Sequence, residues 1–189
     1  MNPLTHLLVA TLAIVPTAQL KAQEGTGQAP VTSEAVNLET MPVPDGWHVR
    51  RESKPDSQSL FISKENIEER GGFLTGFSLN THPRFEARTG MSPLAYAQGI
   101  ANTLHKSHRM TTVSATTLKP GVDVIEILVT DDSRLPVTQL VYFAVADAPA
   151  DTFHLAWFET PESIADTEWQ HGTRLMNEFI RHVAAGRIP

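Results

Sequence analysis

The stretch DVIEILVTDDSRLPVTQLVYFAVADAPADTFHLAWF, residues 123–158, decides the fold. It holds three apolar runs separated by short polar turns. From Asp123 to Thr130, Ile125, Ile127 and Val129 point one way and Val124, Glu126 and Leu128 the other. A period of two is the signature of a strand. Asp131-Asp132-Ser133-Arg134 reads as a hairpin loop. Pro136–Val145 is strongly apolar and reads as a central strand. Phe153, Leu155 and Trp157 then alternate with His154, Ala156 and Phe158. The turns are too short to hold a crossover helix, so these strands pair antiparallel.

Working outward, Met110–Leu118 is rich in Thr and Val and meets the 123–130 strand through the Pro120-Gly121 turn. Before it, Ser92 is a good N-cap and Pro93 suits the first helical position. Leu94, Ala97, Ala101 and Leu104 recur at helical spacing with Ile100 beside them, which predicts a helix ending near His108. After Phe158, Thr160 is expected to cap a final helix opened by Pro161, with Glu162 in its first turn. Ala165, Trp169, Gly172, Met176, Phe179, Ile180 and Val183 form its apolar stripe; Arg181 and His182 lie in its last turn, and Gly186 supplies a left-handed stop. Toward the N-terminus, strands are expected at Trp47–Glu52 and Ser57–Lys64, joined by Pro55-Asp56. A third, with Phe73, Phe77 and Leu79 toward the core, follows Gly71-Gly72, which lets it start or bulge. Each helix has one apolar stripe and needs a sheet to cover. The expected fold is therefore α+β: an antiparallel sheet of about six to seven strands covered by helices, in the order β-β-β-α-β-β-β-β-α.

Several local features sit on that order: the opening Pro44-Asp45-Gly46-Trp47, the Gly72-Phe73 and Gly76-Phe77 pairs, Ser92-Pro93 after Gly90, Phe158-Glu159-Thr160-Pro161, and the amphipathic final helix. With them residues 42–184 resemble the PsbP-like superfamily. The resemblance implies an α/β/α sandwich and a non-enzymatic accessory or docking role. It carries no functional residue over, and no photosystem feature accompanies it.

The chain has 189 residues, formal net charge −6 and no Cys. That length suits one domain with a real core. Without Cys, disulfides, thiol nucleophiles, iron–sulfur ligation and lipid attachment at an N-terminal Cys are excluded. An acidic balance argues against nucleic acid or an anionic membrane surface as partner. Residues 1–22 have the layout of a secretory signal peptide: Leu7–Val15 is apolar, Pro16 breaks it, and Ala18 and Ala22 follow. The apolar run is about nine residues, far short of the ~20 that a spanning helix needs. Residues 23–41, polar or small, read as a flexible lead-in, and the single domain is expected over 42–189. The expected location is periplasmic or secreted, with no membrane span in the mature chain.

The residues that could carry chemistry have ordinary readings. His105 and His108 stand three apart on a helix, a spacing that can serve a metal, but solvent-facing histidines at a helix C-terminus fit as well. Glu65, Glu68 and Glu69 lack the ligand pattern of a Ca²⁺ loop and read as a solvated turn. Asp131 and Asp132 offer cation oxygens, or ordinary turn chemistry. Ser78 is mid-strand, with no nucleophile elbow around it, and no phosphate loop or zinc-protease motif occurs. Arg50, Arg51 and Lys54 form a basic patch that suits docking or a guarded strand edge. Trp47, Trp157 and Trp169 fit the core rim or the wall of an apolar pocket. No catalytic, cofactor-binding or metal residue is assigned, and no cofactor is expected. The function expected is an exported, non-enzymatic accessory protein that binds another envelope protein through its sheet or an exposed face. Alternatives are a small-ligand or lipid carrier, or a hydrolase with an unrecognised site.

Overall fold

The computed structural model describes residues 41–107 and 109–187. By its contacts the chain divides into Met1–Ser33 and Glu34–Pro189, and the described residues all lie in the second unit. The expected signal peptide, 1–22, and nearly all of the expected lead-in lie outside them. Met41, the last residue of that lead-in, is buried in the core, so the packed domain begins earlier than 42.

Seven strands form one antiparallel sheet: β1 (His48–Lys54), β2 (Ser57–Ser63), β3 (Gly76–His82), β4 (Arg109–Lys119), β5 (Val122–Asp131), β6 (Thr138–Asp147) and β7 (Thr152–Pro161). Their order across the sheet is β1-β2-β3-β7-β6-β5-β4. Among the described residues four α-helices accompany it: α1 (Ile67–Arg70), α2 (Phe85–Thr89), α3 (Pro93–Ser107) and α4 (Ala165–Ala184). The α+β sheet-with-helices class is thus as expected. Two short helices, α1 and α2, add to the two helices of the expected order.

The core divides by strand parity. Ile125, Ile127 and Val129 of β5, with Leu140, Ala144 and Phe153, join Ala97, Ile100 and Leu104 of α3 in one cluster. Val124, Val141, Val145, Ala156 and Phe158, on the alternate positions, join Leu175, Met176, Phe179 and Val183 of α4 in the other. Alternation places consecutive side chains on opposite sheet faces.

Two boundaries move. β3 starts at Gly76, so Phe73 precedes the strand. The Glu65 carboxylate accepts from the N–H groups of Leu74 (3.1 Å) and Thr75 (3.2 Å), which holds that segment as a loop. Gly71, at φ 73°, ends α1 instead of opening a strand. Thr160 and Pro161 do not open the last helix. β7 continues through them, pairing Thr160 with Gln139 and Pro161 with Thr138. The Thr160 hydroxyl meets that of Thr75 at 3.2 Å instead of capping a helix. Proline has no N–H to offer the ladder, and the strand ends there. A 3₁₀ turn, Glu162–Ile164, then leads into α4. Ser92 caps α3 as expected, its Oγ accepting from the Ala95 N–H at 3.3 Å. Gly186, at φ 64°, stops α4 and donates to the Val183 carbonyl at 2.9 Å.

Candidate functional site

An open groove of about 870 Å³ runs along α4. It arises because α4 packs on β7 and β3, leaving a trough toward β5 and β6. Gly172 sets the approach: a Cβ there would overlap the Phe158 ring, so helix and strand come closer than any other residue would let them. Leu128 and Trp169 give the groove an apolar floor. Trp169 is held by an edge-on contact with Phe158, ring centroids 5.7 Å apart. Asp166, Arg174, Glu178 and Arg181 make a charged rim of mixed sign. Arg181 hydrogen-bonds Glu178, and that bond holds the Glu178 carboxyl below its usual range. His182 Nε2 lies 2.9 Å from the other Glu178 oxygen.

A second polar cluster sits at one end of the sheet. Arg134 Nε contacts Asp131 at 2.9 Å, and its Nη1 donates to Glu159 Oε2 at 3.0 Å. Both carboxylates are buried. Burial raises the Glu159 pKa, with Arg134 working against it. Burial, then the Glu159 charge, push Tyr142 up to about 12. Partial burial opposes the Arg134 charge, but the two carboxylates outweigh it and raise its pKa. One guanidinium spanning two carboxylates clamps the β5–β6 loop to the end of β7.

A third group is His154, wholly buried on β7. Its Nδ1 meets Thr81 Oγ1 at 3.0 Å, and its Nε2 has no hydrogen-bond partner among the described residues. Burial, with His82 nearby, lowers its pKa to about 3, so the ring is neutral.

The residues singled out in the sequence do not converge. His105 is exposed on the last turn of α3, and His108 lies outside the described residues. Asp131 joins the arginine clamp and also accepts from the Ser133 N–H (3.1 Å) and hydroxyl (2.6 Å), while Asp132 is exposed. Glu65 organises the loop before β3. Glu69 accepts from Asn66 at 2.8 Å, and Asn66 caps α1 through the Glu68 N–H at 3.1 Å. Ser78 is buried in mid-strand. Arg50, Arg51 and Lys54 lie on β1, which ends the sheet, and Arg50 pairs with Glu52 at 2.7 Å. Trp47, Trp157 and Trp169 are all half-buried. Among the described residues no three His, Asp or Glu gather as a metal site, and no helix is long and apolar enough to cross a membrane. Asp131 and Trp169 are among the residues named from the sequence, but the groove and the arginine clamp as assemblies are not legible there: their residues come from β5, the β5–β6 loop, β6, β7 and α4, and no local pattern joins them.

No protein-family model matches the chain, and no curated protein matches it.

Proposed function

We propose that this is an exported, non-enzymatic accessory protein of the bacterial envelope that docks another protein along the α4 groove. The observation that carries the reading is the groove itself: an apolar floor of Leu128 and Trp169 inside a rim of Asp166, Arg174, Glu178 and Arg181. An apolar centre with a charged surround is the anatomy of a protein interface, and Trp and Arg are the residues that most often carry its energy. The division of core residues between α3 and α4 supports an α/β/α sandwich of the PsbP-like kind. The signal-peptide layout of residues 1–22 supports a periplasmic or secreted location.

The test is photo-cross-linking in the cell. A photoreactive residue replaces Thr173 on the groove wall or, as a control, Glu86 on α2; both are exposed. One dominant envelope protein captured from 173 and not from 86 is the expected result. No protein captured from 173, with the protein exported and folded, would sink the reading.

The groove volume also falls within the roughly 300–1,000 Å³ of small-molecule sites. It therefore supports a second reading, a small-ligand or lipid carrier. Native mass spectrometry of the exported protein tests it, because a carrier leaves the cell envelope with a mass above that of its chain.

A further inference from the structure

The two edges of the sheet are built differently. β1 reads His-Val-Arg-Arg-Glu-Ser-Lys, four charges in seven residues. Charged edge strands are a device against strand addition. β4, the opposite edge, is Arg109–Lys119, and between those ends every residue is uncharged, with no Pro and no Gly. Residues 112–117 are exposed, Val113 at 49%. The ladder to β5 shifts register at Met110/Thr112 and again at Thr117/Lys119, so 112–117 is the regular stretch. Among the described residues nothing pairs with the outer side of this strand. An edge of this kind offers a row of free backbone N–H and C=O groups.

We propose that β4 pairs with β4 of a second copy, antiparallel and centred on Ser114, to give a twofold dimer with one continuous sheet. The sequence is close to palindromic about that centre. Thr112 meets Thr116, Val113 meets Ala115, and Ser114 meets its own copy. Thr–Thr and small apolar pairs are favourable across a ladder, and no like charges oppose one another within 112–116. The register of β4 on β5 puts Val113 opposite Ile127, on the α3 side, so its exposed side chain is covered by the partner strand's Ala115. The assembly closes at two copies, because among the described residues the other edge of each sheet is the charged β1.

A twofold axis normal to the sheet keeps both α4 helices on one side, so the dimer presents two copies of the α4 groove on one surface. The pairing does not depend on what those grooves bind. A strand pair this short lies at the small end of specific interfaces, below roughly 1,200 Å². Its dissociation constant should be on the order of micromolar.

Sedimentation equilibrium of the exported chain across a wide range of concentrations tests this, with two variants, Thr112→Lys/Thr116→Lys and Thr112→Glu/Thr116→Glu. Both sites are exposed, and circular dichroism checks that each variant folds. Wild-type protein should show a monomer–dimer equilibrium. Each variant alone should weaken it at least tenfold, because like charges then oppose across the ladder. Mixing the two should restore a heterodimer. Wild type that stays monomeric throughout, variants that dimerise as wild type does, or a mixture that stays monomeric would each overturn the proposal. Capture of an envelope protein at Thr173 is read separately, so failure of this pairing and failure of the docking reading are distinct results.

Discussion

At His154 a titratable ring sits on the α4 side of β7, with the Phe179 ring 6.1 Å away. The unfolded chain titrates near 6.5 and the folded ring near 3. Between those values the unfolded state binds a proton that the folded state refuses. The contribution to stability is therefore complete above pH 6.5 and is lost as pH falls toward 3, by about 1.4 kcal/mol per unit. Glu159 acts in the opposite sense. Its folded pKa is raised above 4.5, so its contribution is present below 4.5 and lost as pH rises through the folded value. Comparison with a His154→Leu variant isolates the histidine. In urea titrations from pH 7 to pH 5, wild type should lose about 2 kcal/mol more than the variant. Parallel slopes would show that the ring is not neutral and buried. At Arg134 the expectation is different. Arg134→Leu leaves two buried carboxylates without their shared cation. The cost should be about 2 kcal/mol, less than the ~3–5 kcal/mol of a fully buried pair, because the Arg134 side chain is 42% exposed. The deficit should shrink at pH 5, where Glu159 takes up a proton more readily, and the same titrations measure it.

At the scale of elements, α4 and α3 were legible and α1 and α2 were not. A stripe at helical spacing runs through Ala165–Val183 and through Ala97–Leu104 because each helix buries one side against a sheet, whereas Leu94, expected on the α3 stripe, is exposed in the first turn and Tyr96 packs on the core instead. α2 has five residues, too few to show a period. Its N-terminal donors are satisfied from far along the chain: Asp151 Oδ1 accepts from the Glu86 N–H at 2.6 Å, and the Asp151 carbonyl from the Phe85 N–H at 2.7 Å. No local signal records a cap supplied by the β6–β7 turn. Pro161 illustrates the reverse failure. A Thr-Pro pair suits a helix start, but pairing with β6 carries the strand through it, and ladder bonds outweigh a local cap. Two substitutions test the helix contacts. Gly172→Ala should destabilise by about 3 kcal/mol, since the Phe158 ring occupies the space that the Cβ needs. Ser92→Ala should cost about 1 kcal/mol through loss of the α3 cap. Urea midpoints check both. A neutral Gly172→Ala would mean that α4 stands farther from β7 than described.

At the scale of the molecule, both core clusters are built on the same strands, so the two faces should unfold together. Phe179→Ala on the α4 side and Phe153→Ala on the α3 side should each cost about 3–5 kcal/mol. In each, far-UV circular dichroism and tryptophan fluorescence should give one coincident transition. Separate transitions would show that each helix with its face is an independent unit. The sequence by itself determined roughly where the strands lie, the two long helices, the antiparallel pairing of β4 with β5, β5 with β6 and β6 with β7, and the parity that sorts Ile125 from Val124. Each of these is written in the spacing of neighbouring residues. Only the tertiary structure decided that β3 lies beside β7, that α4 leaves a groove toward β5 and β6, that Arg134 clamps Glu159 and that β1 and β4 are the edges. Those follow from where distant segments meet, and burial and pairing energies choose that meeting across 20 to 100 residues of chain, beyond the reach of any local pattern.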